Sequence, residues 1–172
     1  MPLPASLAAA LATALAATTP WPGPLDQPAT PHVIAITDVT RDQDGAAIVA
    51  TGAGTLDARL NANIAFSKDS ATLTAKGQAR LTEIASGTKA LPAGILAITG
   101  YTDDLGSSEH GLALSRRRAA AVAAALAPAL PPTVTATVAG KGESDPLVPN
   151  TNEAARAQNR RVQVTFTPAT AP

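Results

Sequence analysis

Apolar and polar residues recur with two different periods along this chain of 172 residues. Between Val33 and Val39 the residues are β-branched and partly alternating, the polar run RDQDG follows at 41–45, and a second apolar run, AAIVATG, ends at Gly52. This predicts a β-hairpin, or two strands flanking the main domain. The stretch LNANIAFS, 60–67, predicts a short strand with Ile64 and Phe66 on one face. Leu73, Ala79, Leu81, Ile84 and Ala85 then fall at broadly helical spacing behind Thr74, a suitable N-cap. GILAITG, 94–100, is a continuous apolar run bounded by glycines and predicts a buried strand. The longest helix is predicted over 107–130, stopped by Pro131 and Pro132. TVTATVAG, 133–140, alternates as a strand. A loop with a short helical turn occupies 141–159. RRVQVTF, 160–166, predicts a last strand with Val162, Val164 and Phe166 inward and Arg161 outward. The order predicts an α+β fold of two layers, β-α-β-α-β-β, with helices packed on one face of a mixed sheet.

The ends read differently. Residues 1–19 are apolar, Ala-rich and uncharged, with about 13 uninterrupted positions from Ala5 to Ala17, which suits a signal-peptide h-region better than the ~20 residues of a membrane span. Ala14-Leu15-Ala16 supplies a cleavage pattern, although no Lys or Arg precedes Arg41. Residues 1–19 are therefore expected to be a signal peptide, or else an Ala-rich tail. Residues 20–31 hold five prolines and predict a linker. The expected division continues with a hairpin lead-in over 32–54, the main domain over 55–168 and a tail over 169–172.

Composition narrows the chemistry. Trp21, Phe66, Tyr101 and Phe166 are the only aromatic residues, so the core must be made of Ala, Val, Leu and Ile. Formal net charge is zero, which gives no reason to expect nucleic acid as a partner. The absence of cysteine excludes disulfides, thiol catalysis, Cys-ligated metal and a lipid on an N-terminal Cys. His32 and His110 lie too far apart for metal-ligand spacing, and no cofactor is expected.

Against a background of 15% charged residues, the stretch GYTDDLGSSEHGLALSRRRA, 100–119, has six charges among twenty residues. At about 100° per residue, Leu112, Ala119, Val122, Leu126 and Leu130 form one stripe, expected to face the sheet. Arg117 then points to solvent, with Asp104 also assigned there, and Arg116 and Arg118 lie on the stripe's two edges. Gly111 and Ser115 share the edge with Arg118 and leave room beside its guanidinium. Ser107 or Ser108 caps the helix, and Glu109 suits its positive first turn. Asp103, at the C-terminal end of the preceding strand, and Arg118 could line one basin complementary to a zwitterion. A plain Asp103–Arg118 salt bridge accounts for the same residues, and geometry leaves both open.

Five short motifs resemble the OmpA-like C-terminal domain family, which binds peptidoglycan in bacterial envelopes. They are Gly100-Tyr101-Thr102-Asp103, Gly106, Leu114-Ser115-Arg116-Arg117-Arg118-Ala119, Gly140-Lys141-Gly142-Glu143 and Asn159-Arg160-Arg161-Val162. They run in family order over about residues 60–167. The resemblance implies that Asp103 and Arg118 hold the ammonium and carboxylate of the diaminopimelate side chain in the peptidoglycan stem peptide. It further implies that Thr102, Asn159 and Arg160 line the groove, that Arg161 is structural, and that the chain acts outside the cytoplasm in the cell envelope. Two positions depart from the pattern: Gly111 stands where the family commonly has Asn, and Ala155-Arg156-Ala157 replaces the usual Gly-Arg-Ala.

The favoured expectation is non-catalytic peptidoglycan binding. The alternative is an adaptor that keeps the fold and has lost the ligand, with Gly111 as its motive. A remote alternative is a hydrolase using Asp103 and His110 with Ser107 or Ser108, but these crowd one solvated helix start and no G-x-S-x-G elbow exists. No transmembrane barrel is expected, since the sequence leaves no room for an N-terminal one.

Overall fold

The register of β6 organises the fold. In the computed structural model, which describes residues 38–41, 47–52 and 54–169, the strands are β1 (Asp38–Arg41), β2 (Ala47–Gly52), β3 (Thr55–Asn61), β4 (Gly94–Gly100), β5 (Val134–Gly140) and β6 (Arg161–Pro168). The helices are α1 (Ala62–Ala65), α2 (Ala75–Thr88), α3 (Ser108–Leu126) and α4 (Glu153–Asn159). The strands form one sheet in the order β1-β2-β3-β6-β4-β5. Only β4 and β5 run parallel, joined by α3 as the crossover such a pair requires. β6 pairs antiparallel with β3 on one side and β4 on the other.

That register sets Ala58 and Ile98 on either side of Val164, with Leu60 beside Val162 and Leu96 beside Phe166. All are buried, and they share one core cluster with Leu81 and Ile84 of α2 and Ala119, Val122 and Leu126 of α3. Both long helices thus cover the same face of the sheet. With only Phe66 and Phe166 as aromatic members, the core gains contact through close approach rather than through large side chains. A Cβ on Gly100 would lie 2.1 Å from the Ser115 carbonyl oxygen, and one on Gly140 would lie 2.5 Å from the Arg116 nitrogen. Helix α3 therefore rests on bare backbone at the ends of β4 and β5.

The structure corrects several expectations. The strand expected over 60–67 is two other elements: β3, whose Leu56, Ala58 and Leu60 alternate inward, and the single turn α1. Asn61 ends the strand by accepting the Asn63 N–H at 2.9 Å, which caps α1. Phe66 is buried all the same, bridged to Leu73. The turn expected within 141–159 is the helix α4, capped by Asn152, so the order after the hairpin is β-α-α-β-α-β-α-β. Leu112 does not belong to the buried stripe: it is exposed, because the first turns of α3 pass over the loop at Gly142 rather than over the sheet. Leu114 is buried in its place. Arg161 faces away from Val162 but is buried, its guanidinium 3.6 Å from the Tyr101 ring centroid and donating to the Asp145 carbonyl at 3.0 Å. In the region of the expected hairpin β1 and β2 pair antiparallel, but β1 runs Asp38–Arg41 where a strand over 33–39 was expected; residues 33–37 and 42–46 lie outside the described residues, and β2 continues the sheet onto β3. The expected signal peptide, the Pro-rich linker and residues 170–172 lie outside the described residues.

Candidate binding site

The chain leaves β4 under control. Tyr101 N–H donates to the Arg161 carbonyl at 2.8 Å and Thr102 N–H to the Gly142 carbonyl at 2.7 Å, which holds the next residue, Asp103, at the end of the sheet. Gly106, at φ +92°, turns the chain back, and Ser107 starts α3 by accepting the His110 N–H at 3.2 Å. About three turns after its start α3 presents Arg118 to the same space. Thr102, Asp103, Gly111, Leu114, Arg118 and Arg160 line a cavity of about 690 Å³, with Phe66, Lys68, Asp69, His110 and Glu153 also contributing to its wall.

Arg118 is 5% exposed. Its Nε donates to the Ser70 carbonyl at 2.8 Å, and its guanidinium carbon sits 5.4 Å from the Phe66 ring centroid. Burial lowers its pKa, against the opposing charge of Asp69; a guanidinium nevertheless stays charged in proteins. Among the described residues its two terminal nitrogens have no hydrogen-bond partner. That leaves a forked donor pair, held by the shaft of the side chain, for a planar anion.

Asp103 is 9% exposed and does not bridge to Arg118. Its Oδ2 accepts from Arg160, which also pairs with Glu153 and donates through Nε to Asn63 Oδ1 at 2.6 Å. Burial lowers the Arg160 pKa, but the hydrogen bonds to Glu153 and Asp103 outweigh it and the net shift is upward. The other Asp103 oxygen receives one long bond, 3.3 Å, from Leu105 N–H. A carboxylate accepts about four hydrogen bonds, so Asp103 keeps capacity for a cation.

Four of the five residues expected at the site, Thr102, Asp103, Arg118 and Arg160, thus meet at one cavity. The fifth does not. Asn159 is fully buried behind the site: it accepts from Leu147 N–H at 2.8 Å and Val148 N–H at 3.2 Å, and it donates to the Val148 carbonyl at 2.8 Å and Asn150 Oδ1 at 2.7 Å. Its work is to clamp the 147–150 loop at the end of α4, next to Arg160. Ser115, expected beside Arg118's open flank, is also buried; its Oγ ties the Gly142 N–H at 3.0 Å to the helix. Gly111 does line the cavity, but the Thr102 hydroxyl packs against it, 2.9 Å from where a Cβ would stand, and is itself buried without a partner among the described residues.

The remaining charges of the 100–119 stretch divide cleanly. Arg116 and Arg117 are exposed. Asp104, assigned to solvent, is exposed and pairs there with Arg156 Nε at 2.8 Å. His110 Nε2 lies 2.8 Å from Asp69 Oδ1, and the Ser108 hydroxyl donates to Glu143, so Asp103, His110 and a serine do not assemble as a triad. Sequence reasoning missed Phe66, Asp69 and Ser70. Phe66 had a signal, as one of only two phenylalanines; Ser70 had none, because it acts through its carbonyl.

The pairs at Asp69 and Asp104 predict an acid response. A hydrogen bond from His110 holds the Asp69 carboxyl below the ordinary carboxylate value, and one from Arg156 does the same for Asp104. A depressed folded-state pKa contributes stability above the ordinary value near pH 4 and loses it as pH falls through the folded value. Urea titrations from pH 6 to pH 2.5 should show a shallower acid loss in Asp104→Asn than in the wild type. An identical slope removes Asp104 from the acid response.

Comparison with known proteins gives a consistent result. Residues 65–160, more than half of the chain, match the model of the OmpA family. The chain is 33% identical over 106 residues to YiaD of Escherichia coli, described as a probable lipoprotein, covering 62% of this chain and 48% of that protein. It is 34% identical over 101 residues to the peptidoglycan-binding protein ArfA of Mycobacterium tuberculosis, covering 59% of this chain and 31% of that one. It thus spans about half or less of the length of these relatives. Its fold is similar to the crystal structure of the peptidoglycan-associated lipoprotein of Burkholderia pseudomallei, with a TM-score of 0.53 and 32% identity over 60% of this chain and 88% of that one. Together with the sheet order and the loop and helix motifs at the cavity, these matches establish that the chain belongs to the OmpA family.

Proposed function

We propose that this chain binds peptidoglycan without catalysis, in the bacterial cell envelope, and that its cavity takes the zwitterionic end of a diaminopimelate stem peptide. The observation that carries the reading is the pair of unpartnered terminal nitrogens on the buried Arg118, facing the cavity that Asp103 also lines. Arg118 supplies a two-pronged seat for a carboxylate, and Asp103, with one oxygen nearly free, supplies the seat for an ammonium. The two seats have separate protein partners, Ser70 for Arg118 and Arg160 for Asp103, so neither must break a bond to the other when the ligand enters. The names borne by ArfA and the peptidoglycan-associated lipoprotein support peptidoglycan as the ligand class. No helix among the described residues is long and apolar enough to cross a membrane.

The test is co-sedimentation with purified sacculi containing diaminopimelate. Wild-type protein should pellet, and Arg118→Met and Asp103→Asn should each weaken binding by about 30-fold or more, the usual cost of removing one partner from a buried charged contact. Free meso-diaminopimelate should displace the protein and Nα-acetyl-lysine amide should not, because it keeps the side-chain ammonium but has no carboxylate beside it. Binding should weaken with added salt. The adaptor reading, which rests on the missing side chain at Gly111, expects wild-type protein to remain in the supernatant. Unchanged pelleting of both variants overturns the two-seat arrangement.

A further inference from the structure

Two consecutive residues of the 67–72 segment hold two residues of α3 that are eight positions apart. Asp69 Oδ1 meets His110 Nε2 at 2.8 Å, and the carbonyl of Ser70 takes the Arg118 Nε–H at 2.8 Å. The segment is itself fastened: Ser67 N–H donates to the Thr72 carbonyl at 3.0 Å, Ser70 N–H to the Ser67 carbonyl at 3.1 Å, and Thr72 N–H to Ser70 Oγ at 3.0 Å. It therefore moves as a unit, and whatever fixes Asp69 fixes the Ser70 carbonyl. Asp69 has φ +50°, a left-handed backbone that is costly for a residue with a Cβ unless its surroundings hold it there. The contact to His110 is what its side chain offers in return. It joins the segment to α3 at the cavity wall, where both residues are found.

We infer that His110 and Asp69 are positioning residues for the ligand site, which set the Ser70 carbonyl and through it the direction in which Arg118 presents its terminal nitrogens. This rests on the binding reading above only for the identity of the ligand. A second consequence is electrostatic. The titratable and charged groups facing Asp69 are His110, Arg118 and Arg117. Without His110, the freed Asp69 carboxylate is left to Arg118, where it competes with the ligand's own carboxylate.

The experiment has one readout that needs no ligand. In wild-type protein, the NMR signal of the Arg118 Nε–H should exchange slowly with solvent, because it is bonded to Ser70. In His110→Ala and in Asp69→Gly, which removes the acceptor without straining the left-handed backbone, that exchange should accelerate severalfold, and in His110→Gln, which keeps a side-chain N–H donor, it should return toward the wild-type rate. Sacculus affinity should fall about twofold to fivefold in each single variant, as for an exposed ion pair acting at one remove. The double variant should bind no more weakly than the weaker single, since one contact is being removed twice. Exchange that is unchanged in both His110→Ala and Asp69→Gly overturns the inference whatever the ligand. Exchange that accelerates while wild-type protein fails to bind sacculi upholds the positioning role and overturns the peptidoglycan reading instead.

Discussion

Gly100→Ala should destabilise the protein by about 3–5 kcal/mol, a large part of the roughly 5–15 kcal/mol that holds an ordinary domain. The cause is a clash that no rotamer relieves. The new methyl group would stand 2.1 Å from the Ser115 carbonyl oxygen and 2.8 Å from its carbonyl carbon, both backbone atoms in the middle of α3. Relief requires α3 to lift from β4, which uncovers Ala119, Val122 and Leu126, all fully buried. It also moves Arg118 away from Asp103, so ligand binding should fall together with stability. Overpacking in cores with flexible neighbours costs about 1–3 kcal/mol; the rigidity of this contact places it above that range. Gly106→Ala is the control. Nothing lies within 4 Å of its added Cβ, and only its φ of +92° is at stake, so it should cost about 1–3 kcal/mol through backbone strain alone. Urea denaturation of both variants decides the matter. If Gly100→Ala falls within 1 kcal/mol of wild type, about the cost of an ordinary substitution, α3 is not seated on β4 backbone.

The same contact explains which parts of the fold could be read from sequence. β4, β6 and α3 carry strong apolar signals, and the run 94–100 is paired on both edges but covered on one face only, with Leu96 and Ile98 buried and Ile95 exposed. β3 escaped notice because its inward set is Leu56, Ala58 and Leu60, separated by Asp57 and Arg59, and because Asn61 leads straight into a helical turn. Charges were harder still. The residues of the 100–119 stretch identify Asp103 and Arg118 as partners for a zwitterion, but nothing local says that Asp103 already receives Arg160, 57 positions away, or that Arg118 is fixed by a carbonyl 48 positions away. Arg161 was expected outward on the strand's period of two, and that face is where it lies; its burial depends on Tyr101, delivered by a neighbouring strand. Periodicity tells which face a side chain takes. Whether that face is covered, and whether a charge is already engaged, is decided by segments far away in the chain.

Asn159 shows the same limit most sharply, and it carries the second large effect. Its amide uses both chemistries at once, accepting from two backbone N–H groups and donating to a carbonyl and to Asn150. Asn159→Ala should cost about 2–4 kcal/mol, since net hydrogen bonds of about 1 kcal/mol each are lost and buried groups are left unpaired. Asn159→Asp should be worse at neutral pH despite its nearly identical shape. The carboxylate still accepts from Leu147 and Val148, but it cannot donate, and it sets a buried charge against the Val148 carbonyl and Asn150 Oδ1. Protonation restores one donor, so the Asp variant should regain stability as pH falls from 7 toward 5, over a range in which the Ala variant stays flat. Urea titrations at the two pH values separate these outcomes. Sacculus binding should weaken in both variants, because the loosened 147–150 loop frees the end of α4 that holds Arg160 on Asp103. An Asp variant as stable as wild type at pH 7 would mean that the amide's donors are dispensable, and the clamp would then be the two accepted bonds alone.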